Sequence, residues 1–197
     1  MVDNDSIDSS SDCATMDRDV TAISDFLGRI HGWDVAILTR LSRRPWRLLR
    51  RLAALVSRTG DGHLYAIIAI AVLFSRPAGG TEFLVVGLIA VAIELPVYLF
   101  LKRQVGRPRP KDTMGWIRTW IAPSDQFSFP SGHTAAACLL ATLLVTFFPF
   151  FAPWAFGWAA LVGMSRLLLT VHFPSDILAG ATLGVVAAML GLSLSPF

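Results

Sequence analysis

The chain has 197 residues, 54% of them hydrophobic and 16% charged, with a mean hydropathy of +0.58. A soluble domain carries about 25% charged residues, so an ordinary water-soluble fold is excluded. Apolar runs near membrane-spanning length point to an integral membrane protein, and the small net charge of +3 gives no reason to expect a nucleic-acid partner.

Residues 1–19 are rich in Ser and Asp. They lack a basic start and an apolar core, so they are not a signal peptide, and their composition predicts a disordered acidic tail. Cys13 lies in that tail and Cys138 in an apolar run, which argues against a structural disulfide.

Residues 20–58 read as amphipathic helices lying at the membrane interface. Ile23, Phe26, Leu27, Ile30, Ile37, Leu38 and Leu41 recur at helical spacing, and Asp25, Arg29, Asp34 and Arg40 interrupt any spanning run. A basic stretch follows, with Arg43, Arg44, Arg47, Arg50, Arg51 and Arg58 set among Trp46, Leu48, Leu49, Leu52, Leu55 and Val56. Such a stretch either lies in the interface and attracts anionic lipid or packs on a bundle with its arginines in water.

Residues 59–197 read as a polytopic transmembrane bundle, all-α, with about five spans at 62–76, 81–101, 131–151, 154–173 and 174–194. Pro96 should kink the second. Glu94, Tyr98 and Lys102, spaced four apart, share one face of it. Glu94 therefore either faces a site from below or pairs with a buried donor. The polar connection 102–129 carries Trp116 and Trp120, which suit the headgroup level. Phe173-Pro174 should end the fourth span and Pro174 open the fifth. Gly180, Ala181, Gly184, Ala187 and Ala188 on the fifth fit close helix packing.

Alternation of the spans brings three clusters to one face. Lys102, Arg107 and Arg109 form an anion site or a plain charged flank. Ser131-Gly132-His133 opens a helix, with Ser131 as a natural N-cap. Amides at a helix start bind phosphate, and His133 there is placed to donate a proton. His172 and Asp176 bracket a helix break, where a carboxylate on one ring nitrogen leaves the other as a nucleophile. Arg166, one to two turns below, can hold a phosphate bidentately. No zinc or other metal-ligand spacing is present, and no cofactor is implied.

Together these read Lys102-x6-Arg109-Pro110, Pro130-Ser131-Gly132-His133 and Ser165-Arg166-x5-His172-x3-Asp176. This pattern resembles that of the type 2 phosphatidic acid phosphatase (PAP2) superfamily, which also includes vanadium haloperoxidases and glucose-6-phosphatase. The resemblance spans about residues 58–194. It implies metal-independent hydrolysis of a phosphomonoester or diphosphate. His172 would become a phosphohistidine, oriented by Asp176, and His133 would protonate the leaving group. Lys102, Arg109, Ser131, Gly132 and Arg166 would hold the phosphoryl oxygens. With spans present, the implied substrate is a membrane lipid phosphate such as undecaprenyl diphosphate, phosphatidylglycerophosphate or phosphatidate. The implied place is the bacterial inner membrane with a periplasmic active face, whereas Arg40 to Arg58 would put that face in the cytoplasm by the positive-inside rule. A lipid phosphotransferase and a non-catalytic lipid-binding bundle fit the same spans, and a haloperoxidase fits the same motifs.

Overall fold

The computed structural model describes residues 9–44, 46–123 and 125–196, with side chains from residue 24 onward. Among the described residues there is no strand. The helices are α1 (Ser9–Ser42), α2 (Arg47–Thr59), α3 (Gly62–Ser75), α4 (Gly80–Val105), α5 (Pro110–Thr113), α6 (Gly132–Phe147), α7 (Ala152–Leu168) and α8 (Pro174–Leu194). A single 3-10 turn, Pro149–Phe151, joins α6 to α7. Among the described residues, two helical stretches, Gly80–Thr113 and Pro174–Leu194, are long and apolar enough to cross a membrane, and Gly62–Ser75 and Gly132–Phe147 are shorter apolar helices.

Composition alone predicts a disordered tail over 1–19, but α1 begins at Ser9. Once a helix is nucleated, each further residue adds a hydrogen bond at small entropic cost. Residues 1–8 lie outside the described residues. The amphipathic stretch 20–58 is divided between two helices, α1 and α2.

The outward surface explains the high hydropathy. α2 buries Arg50, Ala53 and Ser57 and exposes Leu48, Leu49, Leu52 and Leu55. Water would favour the reverse arrangement. Leu73, Phe74, Leu88, Phe100, Trp154, Leu161, Leu178 and Met189 also face outward. A soluble monomer seldom carries apolar surface on this scale. The chain is an integral membrane protein.

Inside, α8 is the packing axis. A methyl group on Gly180 or Gly184 would run into the carbonyl oxygens of Ser131 and Ala135 on α6, and one on Gly191 would sit 2.9 Å from Ala90 on α4. These three glycines let backbones meet where any side chain would hold them apart. Around that contact Phe83, Val86, Ala90, Leu139, Leu140, Leu143, Ala187 and Ala188 form the largest core cluster. Small residues repeat on the other side of α6, where Ala137, Cys138 and Ala141 meet Ala155, Ala159 and Val162 of α7.

The N-terminal helices are fastened by buried charge. The Asp34 carboxylate on α1 accepts from the Ser175 amide (2.9 Å) and hydroxyl (2.5 Å) and from Arg107 (2.7 Å). Arg50 of α2 donates to the carbonyls of Leu41 and Ser42 at the end of α1, which satisfies orphan acceptors there, and its guanidinium lies 4.7 Å over Trp120.

Gly184→Val places branched carbon against backbone that has no free volume. Its expected cost is about 3 kcal/mol, the upper end for overpacking, read as a lowered unfolding temperature in detergent. Gly157→Ala, where an added methyl meets nothing within 4 Å, is the control and should leave that temperature unchanged or slightly raised.

Candidate active site

The site is assembled at the ends of α4, α6, α7 and α8. After α7 the chain reverses through Thr170, whose φ of +57° is left-handed. The Thr170 hydroxyl donates to the Arg118 carbonyl at 2.7 Å, and the Val171 amide to the Arg166 carbonyl at 3.2 Å. This tight return carries His172 under the polar connection. Phe173 then caps α8. Its amide donates to Asp176 Oδ2 at 2.7 Å, so Asp176 both opens the helix and stands beside the histidine.

His172 is buried, with 2% exposure. Its Nδ1 lies 2.6 Å from the Ser128 carbonyl and 3.7 Å from Asp176 Oδ2. Nδ1 therefore donates to the carbonyl, and Nε2 keeps its lone pair. The resemblance implies that Asp176 orients this ring, but 3.7 Å is too long for a hydrogen bond. Both Asp176 oxygens are already engaged, one by Phe173 and the other by Arg107 at 2.7 Å. Asp176 acts on the ring by charge, and Ser128 fixes the tautomer. Burial, helped by the nearby Arg166 and Arg109 charges and opposed by Asp176, pushes the His172 imidazole down to about 4.

His133 occupies the first turn of α6. Ser131 is the N-cap by position, yet its hydroxyl pairs with Thr134 Oγ1 at 2.9 Å and does not cap. The Ser131 amide donates to the Asp176 carbonyl at 3.0 Å, which ties the two motif helices together. Gly132 is needed because a methyl there would touch the Tyr98 ring at 3.0 Å. His133 Nε2 lies 2.8 Å from Asp61 Oδ1, at the start of α3.

Three cations surround these groups. Arg166 is 3% exposed and gives one N–H to Ser57 at 2.5 Å, while its Nε has no partner. Arg109 donates to the Val171 carbonyl (2.7 Å), the Asp125 carbonyl (2.9 Å) and the Asp125 carboxylate (2.7 Å). Lys102 donates to the other Asp125 oxygen (2.8 Å) and to the Tyr98 hydroxyl (2.5 Å). Burial disfavours the ionised form of Asp125, but the hydrogen bonds and charges of Lys102 and Arg109 outweigh it and hold the carboxyl below its usual range. Arg107 belongs elsewhere: it bridges Asp176, Ser175 and Asp34 and stacks 4.1 Å over Phe173.

His133, Asp61 and Arg166 line a cavity of about 380 Å³ closed by Ser57, Arg58 and Ala122. His133 and Asp61 also line a larger cavity, about 820 Å³, that descends between α3, α4 and α6. Among the described residues no three His, Cys, Asp or Glu side chains converge as a metal-binding group.

The structure thus gathers Lys102 with Arg109, and His133 with Arg166, at one end of the bundle, with His172 and Asp176 packed behind them. Sequence reasoning missed Asp34, Ser57, Asp61, Asp125 and Ser128. Each sits outside the motif spacing, and the partner that gives it meaning is distant in the chain.

The PAP2 superfamily model matches residues 79–196. A lipid A 1-phosphatase of Rhizobium johnstonii is 32% identical over 94 residues, 46% of this chain and 38% of that protein, so the chain spans well under half of that relative. The crystal structure of Aquifex aeolicus LpxE superposes with a TM-score of 0.72 at 25% identity, over 80% of this chain and 93% of that one. A transmembrane PAP2-type phosphatidylglycerolphosphate phosphatase from Bacillus subtilis gives a TM-score of 0.65 at 25% identity, over 86% and 89%. With the three motifs on one end of a matching helical bundle, and a family match over most of the chain, the protein belongs to the PAP2 superfamily.

Proposed function

We propose that the chain is a metal-independent lipid phosphate phosphatase working through a phosphohistidine. The observation that carries this reading is a buried His172 whose Nδ1 is committed to a backbone carbonyl, which leaves Nε2 as the nitrogen with the free lone pair. In the first step Nε2 forms a bond to phosphorus as the phosphorus–oxygen bond to the lipid breaks. His133, oriented by Asp61, gives its proton to the departing oxygen. In the second step a water oxygen bonds to phosphorus as the Nε2–P bond breaks, and His133 takes the water's proton. Inorganic phosphate leaves and His172 is regenerated. Lys102, Arg109, Arg166 and the first amides of α6 offset charge on the phosphoryl oxygens. The unpartnered Nε of Arg166 is a donor held ready for that group. The incoming phosphate exchanges with the Asp125 carboxylate on Lys102 and Arg109.

The substrate class is a membrane lipid phosphate or diphosphate, reached sideways through the larger cavity. Crossings by α3, α4, α6, α7 and α8 would bring every motif to one interface. α3 has 14 residues and α6 has 16. At 1.5 Å per residue each spans less than the roughly 30 Å hydrocarbon core, so the bilayer thins beside them. α2 lies in the interface with Arg47, Arg51 and Arg58 exposed, where they take anionic lipid headgroups.

Phosphate release by purified protein in detergent, with EDTA present, tests the chemistry. Release from phosphatidate, phosphatidylglycerophosphate or undecaprenyl diphosphate should survive EDTA and fall at least 10³-fold in His172→Ala, the scale of losing a nucleophile. Equal release by that variant would end the reading.

The pH profile gives a second test. Because the His172 pKa is lowered, the reactive neutral form persists as pH falls from 7 to 5. The acid limb of kcat/KM belonging to this group should lie near pH 4, not near the ordinary 6.5.

Removing the internal anion should strengthen phosphate binding. Asp125→Asn is expected to lower the inhibition constant of inorganic phosphate about tenfold, a change of about 1.4 kcal/mol. A higher constant would mean that Asp125 positions the two cations without competing.

A further inference from the structure

The larger cavity is lined by apolar side chains except along one strip. Its rim carries Ile70, Leu73, Leu88 and Leu95, all exposed, so it opens sideways from the bundle. Its upper end is His133 and Asp61. Between these ends lie Tyr65 of α3 and Glu94 of α4. Glu94 is 7% exposed and has no hydrogen-bond partner among the described residues. The Tyr65 hydroxyl is buried and also unpartnered. Tyr98, on the same face of α4, is by contrast occupied by Lys102.

A carboxyl at this depth is retained only where something answers it, and buried polar groups without partners are rare. Two such groups in one cavity point to a ligand that brings its own polar atoms. Helix rise sets their depth. Tyr65 lies one turn, roughly 6 Å, below Asp61, and Glu94 lies two turns, roughly 12 Å, below Lys102. An extended chain leaving a phosphorus held at the cations reaches the Tyr65 level within about five covalent bonds and the Glu94 level within about ten.

We propose that Tyr65 and Glu94 form a linker-reading subsite in which the Tyr65 hydroxyl and the neutral, protonated carboxyl of Glu94 donate to the acyl carbonyls of a lipid whose phosphate is joined to its chains through an ester- or amide-bearing linker. The proposal rests on the lipid phosphatase reading and narrows its substrate class. Glycerolipids and acylated amino sugars share this chemistry. A polyprenyl phosphate does not, because its hydrocarbon begins at the phosphate oxygen and would leave both groups dry and unpaired. A hydrocarbon chain continuing past Glu94 then reaches the rim through Leu88 and Leu73.

The test compares kcat/KM for phosphate release from dioleoyl phosphatidate, its dialkyl-ether twin and undecaprenyl diphosphate in mixed micelles with EDTA. A short-chain soluble phosphomonoester serves as a control for the catalytic centre. Wild type should prefer the ester to the ether about tenfold, the scale of one or two lost hydrogen bonds. Tyr65→Phe and Glu94→Leu should bring the ester down to the ether rate while ether and soluble substrates stay unchanged, and Glu94→Gln should keep most of the preference. Equal wild-type rates on ester and ether would overturn the proposal, with water filling the subsite, and so would a preference for the polyprenyl substrate. A parallel fall on every substrate in the variants would reduce the pair to a structural role and overturn it as well. No release from any lipid by wild type is a separate result, which removes the phosphatase reading and this inference with it.

Discussion

The backbone contact between α8 and α6 is the constraint on which everything else rests. Gly180 and Gly184 let α8 approach the carbonyls of Ser131 and Ala135 with no side chain between. The same approach lets the Ser131 amide reach the Asp176 carbonyl. The start of α6 and the start of α8 are therefore one rigid corner. Two motifs separated by some 40 residues share it because two glycines in apolar helix, Gly180 and Gly184, bring the backbones close enough for that one hydrogen bond. In a membrane, where lipid is as apolar as the side chains, close packing of this kind is the main force available to hold helices together.

Around that corner the charges are arranged in matched sets. Lys102 and Arg109 share Asp125, Arg107 joins Asp34 to Asp176, and His133 leans on Asp61. Burying an isolated charge costs several kcal/mol, and only good geometry with further hydrogen bonds offsets it. Three of these carboxylates, Asp34, Asp61 and Asp125, come from outside the motifs. They keep the motif cations and His133 in place in surroundings of low dielectric. Arg166 is the exception, since its closest partner is the neutral Ser57 hydroxyl and its Nε is left open.

Much of this is legible in the sequence. Runs of apolar residues and their breaks at Phe173-Pro174 and the 77–80 turn located the core helices within a few residues, and alternation alone put the three clusters on one face. The small residues of α8 signalled its close packing. What sequence could not carry were contacts made across the fold. Asp34 reads as an interruption of an amphipathic helix until Ser175 is beside it. Ser128 acts through its carbonyl, which every residue possesses, so no side-chain pattern could mark it. The Asp176–His172 spacing suggested a direct hydrogen bond, yet Arg107 and the Phe173 amide had already claimed the carboxylate. Arg107 itself reads as part of an anion site or a plain charged flank until its position shows it turned towards Asp176.

The Asp125 bridge also bears on how such a site stays open in a sea of phosphate. The common bulk phospholipids present phosphodiesters with one negative charge per phosphate, and a bare pair of cations would collect them. A carboxylate already seated between Lys102 and Arg109 sets a threshold. A monoanion offers those cations no more charge than it displaces and must also break two good ion pairs. A terminal phosphate, whose second ionisation lies near pH 6, carries close to two charges at neutral pH and gains on the exchange. On the proposed reading, the built-in anion would make the site a discriminator of charge state and spare it from occupation by the membrane's own lipids.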